Sequence, residues 1–235
     1  PIFPDLLTAL GQDLKGQYVT RTAIEDPSII HPSFQGLVSE NPTLRLYSTG
    51  EGENLIMTSQ INERLSTVMF LDPELHLNTQ EYALGMDYLA RGQTYDYLNS
   101  SRVILINQSG KAIQLDEYLP PHYREGDREL RIVLNDRSLA RARGSRMTVT
   151  TQPLLNIHDL ETFIHECGHM QTYNVNSFNT KYSDERDAAA FLITALRELE
   201  RDGFLSKEDT LNMIDIQRSN LKIYQKATRG GRSNT

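Results

Sequence analysis

The chain of 235 residues carries 31 acidic against 24 basic side chains, a formal charge of −7 that disfavours a surface built for nucleic acid or anionic lipid. Its 38% hydrophobic and 23% charged residues are ordinary for a soluble globular protein, and its length suits one large domain or two lobes around a cleft. No apolar run approaches the ~20 residues of a membrane span, and the opening PIFPDLLTALGQDL lacks the basic start and long apolar stretch of a secretory signal. Pro1 in place of an initiator Met points to a processed chain or an excised domain. The single cysteine, Cys167, excludes an intrachain disulfide and suits folding in a reducing compartment; its place on an apolar stripe predicts a buried thiol.

Residues 4–15 predict a short helix, with Leu6, Leu7, Leu10 and Leu14 on one face. From Gln17 to Leu71 the pattern is strand-like: QYVTRTAI, TLRLYSTG, ENLIMTSQI and LSTVMFL are separated by Pro, Gly, Asn and Asp. Thr79 to Leu98 predicts a helix with Tyr82, Met86, Leu89 and Tyr95 inward, interrupted by Gly85 and Gly92. RVILINQSGKAIQL predicts a hairpin turning at Gln108-Ser109-Gly110. RELRIVLND and SRMTVTTQP give two more strands. Between them DRSLARARGSR crowds Arg137, Arg141, Arg143 and Arg146, either a solvated loop or a basic rim for an acidic substrate segment. SRMTVTTQP, with Met147 and Val149 alternating, suits either an interior strand or an edge strand that pairs an extended substrate.

LLNIHDLETFIHECGHM, Leu154 to Met170, predicts one amphipathic helix whose apolar stripe is Leu160, Phe163, Ile164 and Cys167. On another face His165 and His169 stand at i and i+4, so their rings converge on one point, as two ligands of a single ion must. Glu166, offset by about 100°, can reach a water on that ion without ligating it. This is the H-E-x-x-H pattern of zinc peptidases. His158 lies two turns earlier, too far to join, and predicts a helix-surface histidine; His31, His76 and His122, next to or near Pro, predict loop positions.

After a polar link from Gln171 to Lys181, SDERDAAAFLITALRELERDG predicts a helix from Asp184 to Arg201. Ser183 is its predicted N-cap, Ala188, Phe191, Leu192, Ala195 and Leu199 its buried stripe, and Gly203 its stop. Catalytic zinc needs a third protein ligand from another element; Glu185 and Asp187, then Asp184, are the carboxylates placed to supply it. A last helix opens at Ser206 and runs through Leu211, Ile214, Leu221 and Tyr224 into a basic, frayed tail, KATRGGRSNT.

An HExxH helix followed by a helix carrying E-x-x-A resembles the gluzincin group of metallopeptidases over Asp159 to Leu196. The resemblance puts Glu185 in the position of the third zinc ligand, makes Asp187 or Asp184 the group that orients a histidine ring, and lets the small Ala188 and Ala189 bring the two helices together. It implies an α+β, zincin-like domain spanning 1–235: a sheet-rich lobe over 1–153 with a mixed, mostly antiparallel sheet, and a helical lobe over 154–235 holding Zn2+. It implies a zinc-dependent endopeptidase acting on protein or peptide, with Glu166 as general base and a tyrosine, Tyr182 or else Tyr173, stabilising the oxyanion. The short link between the motifs is similar to that of bacterial toxin and effector proteases, which implies secretion or delivery into a host cell; the acidic charge and the lack of a long apolar run predict no nucleic-acid or membrane partner. The chain departs from metzincins, since the position of their third histidine is Val175, and it lacks the aspzincin G-T-x-D pattern. Two other classes compete: a catalytically silent zincin fold serving as a sensor or binding module, and a metal-free interaction protein with a chance motif.

Overall fold

The computed structural model describes residues 21–50, 54–78, 95–115, 129–137, 140–143, 148–172 and 181–230. These form a mixed α/β structure around a nine-stranded sheet. The strands are β1 (Arg21–Ile24), β2 (Arg45–Thr49), β3 (Asn54–Asn62), β4 (Leu65–Asn78), β5 (Tyr95–Asn107), β6 (Ala112–Gln114), β7 (Glu129–Val133), β8 (Arg141–Arg143) and β9 (Thr148–Thr151). The sheet order is β1-β2-β3-β4-β5-β7-β9-β8, with β6 also on β5. Every pairing is antiparallel except β7 with β9. The helices are α1 (Phe34–Glu40), α2 (Ile157–Thr172), α3 (Lys181–Arg201) and α4 (Lys207–Gly230).

Strand alternation assigns the two sheet faces. Leu55, Met57, Leu65, Met69, Leu98, Val103 and Leu105 join the core that also holds Leu160, Phe163, Ile164 and Met170 of α2, Leu192 and Leu199 of α3, and Met213 and Ile214 of α4. That one apolar cluster joins the sheet to the helices. The alternate residues Ile56, Val68, Phe70, Ile104 and Ile106 form a second buried cluster on the opposite face. The β5–β6 hairpin turns where the sequence predicts: Gly110 takes φ 81°, and the Asn107 side-chain oxygen accepts from the N–H groups of Ser109 and Lys111.

Residues 95–98 correct the predicted helix from Thr79 to Leu98. They open β5, because Tyr95 and Tyr97 face one side while Leu98 enters the core, a period of two rather than 3.6; residues 79–94, like the predicted helix at 4–15, lie outside the described residues. His76 is on β4, stacked on Tyr97 at 5.1 Å, rather than in a loop. His31 is in a connection but buried: it takes the Ser33 N–H on Nδ1 and meets Asp96 Oδ2 at 2.6 Å. His122 lies outside the described residues.

The motif helix starts at Ile157, three residues later than predicted. Leu154 and Leu155 are extended because buried side chains claim their carbonyls: Ser59 Oγ donates to Leu154 at 2.7 Å and Asn41 Nδ2 to Leu155 at 2.8 Å. The Asn156 side chain then accepts from the Asp159 N–H at 2.9 Å and starts the helix. α3 begins at Lys181, so Ser183 sits inside its first turn instead of capping it. Ser206 does cap α4: its Oγ accepts from the Asp209 N–H at 3.0 Å and donates to the Asp209 carboxylate at 2.8 Å. The inward face of α4 is Thr210, Met213, Ile214 and Gln217, which leaves Leu211 outward, and the helix persists to Gly230 instead of fraying at Lys226.

Candidate metal centre

α2 buries Leu160, Phe163, Ile164 and Cys167 against the sheet, as their spacing requires, and turns His165 and His169 toward α3. Glu185, near the start of α3, faces them. Its Oε2 is 3.2 Å from His165 Nε2 and 3.8 Å from His169 Nε2, and one ligand atom from each of the three residues falls within 4.8 Å of the others. Ligands about 2.0–2.1 Å from a tetrahedral ion are roughly 3.4 Å apart. The donor set, two imidazoles and a carboxylate, therefore fits a divalent transition ion in size and in chemistry. The imidazole rings stand nearly perpendicular at 86°, so their nitrogens approach the shared point from different directions.

The helices that bring these groups together cross at Gly168. A Cβ at that position would lie 2.8 Å from both the Cα and the carbonyl oxygen of Ala188. Ala188 and Ala189 are fully buried at the same crossing, as the sequence predicts, but it is the missing side chain of Gly168 that permits the approach.

Electrostatics at the centre are strongly perturbed. Burial pushes the Glu166 carboxyl up to about 7; the charge of Glu185 adds to this, whereas His165 and the N–H of Ala142 oppose it. For His165 burial is the largest influence and works downward, yet its bond to Glu185 and the charges of Glu166, Glu185 and Glu161 leave it above the usual histidine value. His169 is pushed down by burial and by the nearby His165, against Glu185 and Asp184. Among the described residues His165 Nδ1 is buried with no hydrogen-bond partner.

Other predicted residues fall elsewhere. Asp187 bonds Arg186 on the exposed side of α3, while Asp184 acts on His169 through its charge. His158 is a surface histidine as predicted, bonded to Glu161 at 3.2 Å, and Cys167 is buried. The side chains of Tyr182 and Tyr173 lie outside the described residues.

Arg137 and Arg141 belong neither to a solvated loop nor to a free basic rim. Arg141 is buried on β8 and donates to the Tyr95 hydroxyl at 2.9 Å. Arg137 bonds Glu40, the Pro153 carbonyl and Asp159, tying the segment to α1 and to the entry of α2. The side chains of Arg143 and Arg146 lie outside the described residues. β9 is interior, between β7 and β8, and all four of its residues are buried. Among the described residues β8 is the outermost strand at this end of the sheet, and its Ala142 N–H reaches the Glu166 carboxyl.

Four contributors escape motif reading: Gly168, Ala142, the buried Glu161 and Tyr224 of α4, on which the carboxylates of Glu185 and Glu166 act. Gly168 had a legible signal, a small residue between the two histidines facing an Ala-rich helix. Tyr224 had only its place on an apolar stripe. No protein-family description, characterised protein or solved structure matches the chain.

Proposed function

We propose that the protein is a zinc-dependent endopeptidase with a zincin-like architecture. The observation that carries this reading is the convergence of His165, His169 and Glu185 within ligand reach, with the half-buried Glu166 carboxyl adjoining them. Those three residues would hold Zn2+, which when bound acidifies a water and polarises a carbonyl. Glu166 is the general base. Next to His165 on α2, it is placed to take a proton from water and return it to the leaving amine. The Ala142 N–H steadies that carboxyl from β8, the outermost of the described strands at that end of the sheet, along which an extended peptide could add by backbone pairing.

The test is metal content by elemental analysis, followed by incubation with a mixed-protein digest, for the wild type, Glu185→Ala and Glu166→Ala. The reading expects one zinc per wild-type chain, loss of zinc in Glu185→Ala, and zinc retained with no cleavage in Glu166→Ala. A wild type that binds no zinc sinks it.

A further inference from the structure

The last helix brings the centre a residue that the motifs do not. α4 follows α3 after residues 202–206, where Gly203 takes φ 83° and lets the chain turn back. So short a connection makes α4 antiparallel to α3, and it runs in the same direction as α2, since Gln217 meets Glu161 and, further along both helices, Tyr224 feels the charge of Glu166. One buried bond sets its register on α2: Gln217 Nε2 donates to Glu161 Oε1 at 2.8 Å. Tyr224 lies seven residues beyond Gln217 on the same face, through Leu221, about 10 Å further along the axis. On α2, Glu166 and His169 lie five and eight residues beyond Glu161, roughly 7.5 and 12 Å along. The register thus carries Tyr224 to the level of the candidate ligands. There its ring is partly buried, and besides burial the influences that raise its pKa are the charges of Glu185 and Glu166.

We propose that Tyr224 is a catalytic residue of this centre, donating its O–H to the carbonyl oxygen of the scissile bond as that oxygen gains charge. The inference rests on the peptidase reading above and deepens it. Among the described residues, the side chains gathered at the centre are acceptors or candidate ligands: Glu166, Glu185, His165 and His169. Addition of water to the carbonyl carbon sends the water proton to Glu166 and the carbonyl electron pair onto oxygen. That oxyanion needs a donor that is neutral and protonated at working pH, and a partly buried phenol on which the charges of Glu185 and Glu166 act stays so. When the intermediate collapses the C–N bond breaks, the oxygen recovers its double bond, and Glu166 gives the proton to the amine nitrogen.

The variant is Tyr224→Phe, which keeps the ring and removes only the donor. Wild type and variant are loaded with zinc, then compared for zinc content, thermal unfolding and affinity for acetohydroxamate, a small probe that presents an oxygen anion to a bound metal. Turnover is compared on a peptide found in the wild-type digest. The expected result is unchanged zinc and unfolding temperature, acetohydroxamate bound about tenfold more weakly, and kcat lower by roughly 10²–10³ with KM held. If Tyr224→Phe binds the probe as the wild type does, or weakens only by losing zinc or stability, the ring merely packs and the assignment is overturned. If the wild type takes up no zinc, the peptidase reading itself fails and takes Tyr224 with it. Zinc uptake in the wild type therefore separates the two failures. A wild type that binds zinc but yields no peptide fragment leaves the decision to the probe affinity.

Discussion

Gly168→Ala tests whether the helix crossing sets the centre. The added Cβ would stand 2.8 Å from the Cα and the carbonyl oxygen of Ala188, where ordinary contact begins at 3.4 Å, a shortfall of about 0.6 Å. Both contacted atoms are backbone, so no rotamer change relieves them; α2 and α3 must separate or slide. Glu185 lies one turn before Ala188 on α3, so it moves with the crossing. Two opposing terms decide stability: a helix-interior Ala gains up to about 1 kcal/mol over Gly, while overpacking costs about 1–3 kcal/mol. The net expectation for the metal-free protein is a loss of about 1 kcal/mol. The metal term is larger in effect, because misplacing a supporting group by this much typically weakens metal binding 10–100-fold. Zinc affinity measured against a competing chelator, beside thermal unfolding of the metal-free protein, checks both numbers. Ala188→Gly in the Gly168→Ala background should give no rescue, since the clash is with atoms that every residue possesses. Wild-type zinc affinity in Gly168→Ala would refute the reasoning.

Three further perturbations bear on the same elements. In the metal-free protein Glu166 has a folded pKa of about 7 against an ordinary 4.5, so the folded state holds this proton more tightly and loses about 3 kcal/mol from this group as pH rises through that window. Glu166→Gln should therefore raise stability to urea at pH 8 by up to that amount and leave it nearly unchanged at pH 4.5; a pH-independent gain would contradict the assignment. Arg137→Ala leaves the buried Asp159 carboxylate with the Leu155 N–H but without its guanidinium, at an expected cost of about 3 kcal/mol, and Asp159→Asn in the same background should recover part of it. Zinc binds a neutral imidazole, so uptake displaces the proton that Glu185 helps His165 hold, and the ion's charge drives off the proton that Glu166 holds up to about 7; calorimetry in buffers of different ionisation enthalpy should show proton release that shrinks as pH rises through 7.

What the sequence discloses here is what local periodicity can carry. The stripe Leu160, Phe163, Ile164 and Cys167 and the i, i+4 histidines are properties of one helix, and Glu185 stands near the start of the next, so both helices and the candidate ligand group could be read without coordinates. The mistaken or missing elements depend on long-range partners. ARAR looks like a solvated stretch until Tyr95, 46 residues away, receives Arg141, and until β9 offers the pairing that makes β8 a strand. Tyr95 to Leu98 fits a helical stripe in isolation, but pairing with Leu75–Asn78, and of Tyr97 and Leu98 with Val133 and Ile132, draws it into the sheet. Leu154 and Leu155 have the composition of a helix start, and only the side chains of Ser59 and Asn41, which take their carbonyls, keep them extended.

The same long-range contacts explain why the centre is costly and why the fold surrounds it with supports. Without an ion, two histidines and two carboxyls share a largely buried space, and the site responds through its protons: Glu166 shifts upward toward neutrality, while His165 and His169 are driven apart in pKa. Each group is held from a different element. β8 reaches Glu166 through Ala142, the Gly168 crossing fixes Glu185 on α3, and the Glu161–Gln217 bond sets α4 with Tyr224. Were the cluster only packing, apolar residues of similar volume would fill the space at no such penalty, since replacing buried charged groups in this way is often neutral or stabilising. Strongly perturbed titratable groups, gathered between separate elements and positioned by buried contacts, are the arrangement that the proposed peptidase reading expects.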